Sequence, residues 1–405
     1  MPTVMVCNLG IFRNDIFNDN RIDKDVLNFI VVSLKGPLHV TNSFRGNITL
    51  QKSLRSAYDK IAAGFDNNFL KLLSNLSYTC DELIRGCFNI QVFKSGEECC
   101  KTFLTPTITP TGLCFLGNFT PTFNQKMETA QMGLSLMLNT PVADEEFDWS
   151  FVQSDSAAIS SGLIVSLLSN VTQPSLYISE AIPVTGQSHV SIAVDYSVMD
   201  NRGLTKGIWP WSQPTCVPNS APRSLLLNTT ANCLVNTIFS SLVREKRCIP
   251  LPVSSDVSQG AEEVKPCMID DMLSNSTPVH LEISCPEICY AQEYRSRVLS
   301  TPLKSSFSPW SSLHDSYGQA MSPTSDSEEG EIGNFTLSLL TVYYPSLTYR
   351  EIIQSKSNME TWFSNVGGHI GICLGASVIS AIEIIVFIFS IFFLFFRKVV
   401  KTLCS

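Results

Sequence analysis

Residues 370–396 carry a single ionisable side chain besides the thiol of Cys373, and that side chain is Glu383. The run is about 27 residues, or about 40 Å as a helix, against a bilayer core of about 30 Å. It is therefore predicted to cross a membrane with tilt. Arg397, Lys398 and Lys401 follow at once, and basic residues beside a span mark its cytoplasmic end. This divides the chain into an extracellular domain over 1–360, a segment leading into and through the membrane over 361–397, and a cytoplasmic tail over 398–405.

Two features of residues 1–360 agree with that orientation. Asn47, Asn75, Asn118, Asn170, Asn228, Asn275 and Asn334 each begin an N-x-[ST] sequon, and all seven precede the apolar run. Twelve of the fourteen cysteines fall between Cys7 and Cys289, the spread expected of a disulfide framework in an oxidising compartment. A domain placed outside needs a signal peptide or an earlier membrane helix. The opening MPTVMVCNLGIFRNDIF has neither a basic n-region nor an adequate apolar stretch, so an upstream segment is expected to be missing from this sequence.

Composition excludes several function classes. The net charge is −8, and no Lys/Arg stripe with interleaved aromatics is present, so nucleic acid is not an expected partner. His39, His189, His280, His314 and His369 are far apart in sequence, and none stands at a metal-ligand spacing. No phosphate-binding loop, dinucleotide fingerprint or nucleophile elbow occurs. Neither an enzyme nor a metal or cofactor protein is expected. Asp144, Glu145, Glu146 and Asp148, the Asp270/Asp271 pair and the run from Glu328 to Glu331 read as solvated loops.

Glu383 is the exception among the acids. A carboxylate at mid-membrane costs roughly 2.5 to 3.5 kcal/mol on insertion scales, so such a residue ordinarily faces a bundle interior or a water-filled path. On a straight helix His369, Ala376, Ser380, Glu383 and Ser390 share one face, with mainly Ile, Leu and Phe opposite. Gly367, Gly368, Gly371 and Gly375 allow close helix approach, or a backbone whose carbonyls face an ion. A pore-lining helix and a small-residue association face with a tolerated acid both fit this pattern.

Along the chain, residues 1–9 read as a strand, and 15–35 and 50–80 as helical from their three-to-four apolar spacing. From about 104 the texture becomes β: TGLCFLGNF, GLSLMLN, SGLIVSLLSNV and HVSIAVDYSV are short apolar or alternating runs between turn residues. Residues 216–300 read as cysteine-spaced and more helical, 322–334 as a polar surface loop, and FTLSLLTVYYPSLTY as a strand leading back to the membrane. No internal repeat is seen, and the fold class is α+β.

These residues resemble the degenerin, epithelial sodium channel and acid-sensing ion channel superfamily. MPTVMVCNLGIFR is similar to the family's F-P-x-V-T-x-C-N-x-N stretch after its first membrane helix, and TPTGLCFLGN to its G-x-C-Y-x-F-N motif. SGLIVSLL and IPVTGQSHVSIAV resemble its mid-domain strands. YPSLTYREIIQSKSNMETWFSNVGGHIGICLGASVISAIE resembles its wrist and second membrane helix, the most specific match. The chain departs from the family by lacking the first membrane helix and the His-Gly gating motif, by Gly10 in the C-N-x-N motif, and by Val386 where a second pore acid is common.

The resemblance implies a disulfide-rich extracellular domain of palm, finger, thumb, knuckle and β-ball type, followed here by one C-terminal transmembrane helix. It implies a trimeric, amiloride-sensitive sodium channel of the plasma membrane, whose partners are sodium ions, same-family subunits and lipid. Gly375, Ala376 and Ser377 would form the selectivity filter, Glu383 would be the pore acid and Ser364 the gating-sensitive degenerin position. The family's bridges would pair Cys7 with Cys114, Cys80 with Cys87, Cys216 with Cys289, Cys233 with Cys285, and Cys248 with Cys267, leaving Cys99 and Cys100 unassigned. The alternative is a single-pass adhesion or receptor ectodomain, or a non-conducting accessory subunit.

Overall fold

Strand β1 (Thr3–Asn8) is buried from Val4 to Asn8, as its nearly continuous apolar sequence requires of a strand covered on both faces. In the computed structural model, which describes residues 1–18, 22–36, 39–120, 122–141, 151, 162–169, 181–203, 216–217, 248–250, 265–273, 287–303, 335–355, 359–374 and 378–403, β1 is the centre of a five-stranded antiparallel sheet. The order is β4 (Leu104–Thr109), β5 (Gly112–Gly117), β1, β7 (Leu163–Leu168), β8 (Ile182–Val184). Val4 and Val6 enter the main core. Met5 and Cys7 face the other way, into a small cluster with Cys114, Ile164 and Leu168.

Helices cover the main-core face. In α1 (Lys24–Lys35) every residue from Val26 to Leu34 is buried; Asp23 caps its start by accepting from the Asp25 amide, and Gly36, at φ 85°, closes its end. A short α2 (Asn42–Arg45) leads into α3 (Ile48–Ala63) and α4 (Phe69–Leu76), capped by Asn47 and Asn68. Both present an apolar stripe inward, Leu54, Tyr58 and Ala62 from α3 and Phe69, Leu72, Leu73 and Leu76 from α4.

A second sheet orders β14 (Tyr290–Pro302), β9 (Ser188–Gly203), β15 (Phe335–Tyr343), β6 (Leu134–Pro141), β2 (Ile84–Phe88) and β3 (Phe93–Ser95), with β16 (Arg350–Ser355) also paired to β9. Two short parallel pairs, β10 (Cys216–Val217) with β13 (Glu287–Ile288) and β11 (Cys248–Pro250) with β12 (Lys265–Cys267), complete the described strands. The helical expectation for 216–300 is therefore corrected where it is described: apart from α7 (Ile269–Leu273) and the linking residues Met268 and Cys289 these residues are strands. Strand β14 shows no clean alternation because it is half-buried to Tyr294 and exposed beyond, at the edge of its sheet. The stretch LNTTANCLVNTIFSSLVREK lies outside the described residues.

Three of the implied bridges form: Cys7–Cys114 joins directly opposed residues of β1 and β5, Cys216–Cys289 flanks β10 and β13, and Cys248–Cys267 links β11 to β12. The pairing of Cys80 with Cys87 is corrected. Cys80 bonds Cys100, and Cys87 bonds Cys99. Cys80 opens α5 (Cys80–Leu83), Cys87 lies on β2, and α6 (Gly96–Phe103) lies against both. Successive residues on a helix point about 100° apart, so adjacent cysteines reach two different elements. Gly96 lets α6 come this close, since a Cβ there would run into the Ile84 carbonyl oxygen. Cys233–Cys285 lies outside the described residues.

The acids Asp270 and Asp271 are not a solvated loop. From α7 they meet Arg55 of α3, whose Nη1 lies 2.9 Å from Asp271 Oδ2 and 3.3 Å from Asp270 Oδ1, while its Nε donates to Asp59 at 3.0 Å. Asp271 also accepts from the Met268 amide at 3.1 Å, and Ser33 Oγ of α1 accepts from the Ile269 amide at 3.1 Å. Met268 and Ile269 are fully buried, so α7 docks by an apolar plug with an ion cluster beside it. Burial, then the charge of Asp271, raises the Asp270 pKa; the Arg55 guanidinium lies 5.9 Å from the centre of the Tyr58 ring, and burial pushes the Tyr58 hydroxyl up to about 12.

Peptide mapping under non-reducing conditions should recover the Cys80–Cys100 and Cys87–Cys99 links, and a Cys80–Cys87 link would refute the packing of α6. Replacing either pair by alanine should cost about 3 kcal/mol in thermal or urea unfolding, with the buried Cys87–Cys99 pair costing the more. At the α7 contact, Asp271→Asn should destabilise by about 1–3 kcal/mol, since it weakens an ion pair and a backbone cap together, whereas Asp270→Asn should cost nothing or stabilise at neutral pH, because burial and Asp271 disfavour the ionised Asp270. The folded Asp270 carboxyl keeps its proton to higher pH than the unfolded one. Its contribution is thus full below the unfolded value near 3.9 and is lost as pH rises through the folded value. Asp270→Asn should flatten that part of the stability–pH curve.

Candidate pore segment

The final helices are reached along one edge of β9. β15 runs parallel to it with Leu339 to Tyr343 opposite His189 to Ala193, and β16 resumes with Arg350 opposite Ser197. β14 occupies the other edge. Six residues, 344–349, thus cross opposite three residues of β9, and Pro345 among them has no N–H for a ladder.

Side chains hold this crossing in place of a ladder. Gln125 donates from Nε2 to the Tyr344 carbonyl at 2.7 Å and accepts at Oε1 from the Tyr344 amide at 2.8 Å. Glu128 Oε1 accepts from the Leu347 amide at 2.9 Å and from Ser346 Oγ at 3.3 Å. The Tyr349 ring lies 5.9 Å from Tyr196, which stacks on Tyr294 at 5.2 Å. Burial raises the pKa of Tyr344, Tyr294 and Tyr196, so these phenols stay neutral. Nearby on the sheet, His189 Nε2 lies 3.1 Å from Thr341 Oγ1 and 3.3 Å from Ser191 Oγ, and burial lowers its pKa.

Beyond β16 come α8 (Met359–Leu374) and α9 (Val378–Leu403). Ser364 is exposed on α8, after Trp362 and Phe363, whose rings meet edge to face at 5.1 Å. At Gly368 an added Cβ would meet nothing within this chain. Gly375, Ala376 and Ser377 lie outside the described residues, between the two helices. Glu383 is exposed on α9; Ser390, seven residues on and nearly on the same face, donates to the Val386 carbonyl at 2.8 Å. All side chains from Ile382 to Val400 are exposed, Phe389 at 71% and Phe396 at 70%.

Among the described residues no helix by itself is long and apolar enough to cross a membrane. The uncharged stretches of α9 are interrupted by Glu383 and end at Arg397, and residues 378–396 measure about 28 Å. The apolar run read from the sequence is shared between α8 and α9. Ser364 and Glu383, expected to work in one pore, stand on separate helices.

Of the sequons, Asn47, Asn75 and Asn118 are exposed; Asn170, Asn228, Asn275 and Asn334 lie outside the described residues, as do the acids at 144–148 and 328–331. Among the described residues no His, Cys, Asp or Glu group is arranged to hold a metal. Sequence reading missed Gln125 and Glu128, because each pairs with backbone about 219 positions away and no periodicity signals such a contact.

Comparison with known proteins bears on the whole of this arrangement. The profile of the family described as amiloride-sensitive sodium channel matches residues 1–387, from β1 through Glu383 on α9. The bile acid-sensitive ion channel of Mus musculus is 26% identical over 327 residues, which cover 76% of this chain and 60% of that protein. The chain therefore belongs to the amiloride-sensitive sodium channel family.

Proposed function

We propose that the chain is a subunit of a sodium-conducting channel of the plasma membrane, in which three same-family subunits surround one pore. The observation that carries this reading is α9, an apolar helix exposed from Ile382 to Val400 within its own chain, whose first residues, to Phe387, lie inside the stretch that matches a channel family. Exposed apolar surface of this extent calls for lipid and neighbouring helices. Together with the end of α8, residues 370–396 are long enough to cross a bilayer core of about 30 Å with tilt. Arg397 and Lys398 then mark the cytoplasmic side, and the disulfide-bonded domain stands outside.

In this reading Gly375, Ala376 and Ser377 supply the narrow, ion-selecting tract. Glu383 holds negative charge in the permeation path, where water and cations offset the cost of an acid among lipid. Ser364 is a gating position at the outer end of α8, and Gly368, which nothing in this chain crowds, leaves room for an approaching neighbour. The stimulus is an extracellular ligand, proton or force; a bile acid is the first ligand to try, given the name of the mouse relative.

The test is sodium current in oocytes expressing a full-length subunit that contains this chain, with and without amiloride. Glu383→Gln is expected to lower sodium conductance severalfold, Ser377→Cys to change the sodium-to-potassium ratio, and Ser364→Trp to raise resting current. Unchanged selectivity in Ser377→Cys would remove the filter assignment; absence of any amiloride-sensitive current, alone or with same-family subunits, would remove the channel reading. Topology has its own test: glycosidase treatment should lower the apparent mass, and Asn47→Gln, Asn75→Gln and Asn118→Gln should each abolish one step of that shift. A product insensitive to glycosidase would place the domain on the wrong side.

A further inference from the structure

β16 is attached to the folded body with little burial of its own. Arg350, Glu351, Ile353 and Gln354 are exposed and Ile352 is half-buried, so what sets its place is its ladder with β9 and the crossing that precedes it. β15, on the other side of that crossing, is fixed by the fully buried Leu340 and Val342. The crossing is therefore where the position of the buried sheet is handed to the strand that leads to α8.

The connection between β5 and β6 grips this point. Gln125 is buried, and besides exchanging two hydrogen bonds with Tyr344 its Nε2 donates to the Met127 carbonyl at 2.7 Å. The two bonds to Tyr344 reproduce the exchange made by directly opposed residues of an antiparallel ladder, so one amide side chain stands in for a strand neighbour. Glu128 accepts from the amide of Leu347, two residues past Pro345. Gly133, at the end of the same connection, sits so close to β15 that a Cβ would strike the Val342 carbonyl oxygen. The grip thus belongs to a connection that is itself packed on the buried strand.

We propose that Gln125 and Glu128 are positioning residues that lock the 344–349 crossing, fix where β16 and α8 stand relative to the sheet, and thereby set the balance between closed and open channel. The effect on current rests on the channel reading above; the lock itself does not.

Amide exchange over 344–355 of the full-length protein in lipid nanodiscs, read beside resting current, tests both parts. Gln125→Leu should raise exchange at Tyr344 and along β16 about tenfold, as loss of a hydrogen bond of ordinary strength predicts, and change resting open probability at least threefold. Glu128→Ala, at an exposed position that does not disturb folding, should do the same at Leu347 and β16. Gln125→Glu supplies a readout that simple damage would not give. Its carboxylate cannot donate to the Tyr344 carbonyl at pH 8; at this buried site between the Tyr344 and Met127 carbonyls a carboxyl holds its proton above the usual Glu value of about 4.3, so exchange should match Gln125→Leu at pH 8 and return toward wild type at pH 5. Gln125→Leu keeps Glu128, Tyr344 and Tyr349 at the crossing and His189, Tyr196 and Tyr294 beside it, and is the reference for their pH response. Wild-type exchange along β16 in both Gln125→Leu and Glu128→Ala, or Gln125→Glu that follows Gln125→Leu at both pH values, would overturn the lock. Raised exchange with unchanged current in a conducting channel would overturn its role in gating. If wild type carries no current the channel reading fails, and exchange alone then upholds or overturns the lock.

Discussion

One edge of β9 carries both the last buried strand and the strand that leads to the final helices, and the rest of the molecule is arranged to keep that edge in place. Val190, Ile192, Val194 and Val198 bury one face of β9, and the thirteen-residue β14 pairs along its other edge. On the working edge each backbone hydrogen bond is worth only about 1 kcal/mol net. For β15 that is supplemented by Leu340 and Val342 in the core; for β16 it is not. The two strands are chemically alike in their pairing and unlike in their burial, so local opening is expected to begin at β16. The break between them follows from Pro345, which lacks the N–H that a continuous ladder would require.

Much of this was legible because it is written in local pattern. The near-continuous apolar TVMVC of β1 marks a strand covered on both sides, and the alternation in HVSIAVDYSV marks one covered on a single side. The three-to-four spacing in residues 50–80 marks the helices α3 and α4. The family resemblance implied Cys7–Cys114, Cys216–Cys289 and Cys248–Cys267, each of which closes a contact between neighbouring strands. For the proposed pore, residue type alone singled out Glu383 and its glycines as candidates.

What was not legible depends on where elements meet. Cys80 and Cys87 look like partners by family pattern, yet α6 brings Cys99 and Cys100 between them, and the direction of two adjacent side chains on that helix decides the pairing. Asp270 and Asp271 look like any acidic pair in a polar stretch until α7 sets them on Arg55, on a helix more than two hundred residues earlier. β14 lacks alternation because an edge strand exposed beyond its first few residues has no buried face to enforce it. Gln125 and Glu128 are invisible for the same reason: a side chain that substitutes for a strand leaves no periodic trace.

These features divide the chain into a body cross-linked against internal movement and an appendage held at one place. Five described bridges constrain the two sheets, the helices about them and the short parallel pairs. None reaches β16, α8 or α9 among the described residues. A shift within the disulfide-bonded domain can therefore reach α8 through the β9 edge and the crossing at 344–349, where few bonds need to change. At the far end α9 offers apolar side chains around most of its circumference, which lipid and neighbours can cover, and a single carboxylate, which neither lipid nor an apolar neighbour can. In the proposed assembly the face bearing Glu383 and Ser390 turns to the common axis, because only there is water available. The acid that makes α9 a poor lone anchor is then what fixes its rotation about its own axis, and a small displacement delivered through β16 acts on a helix already oriented toward the path of the ion.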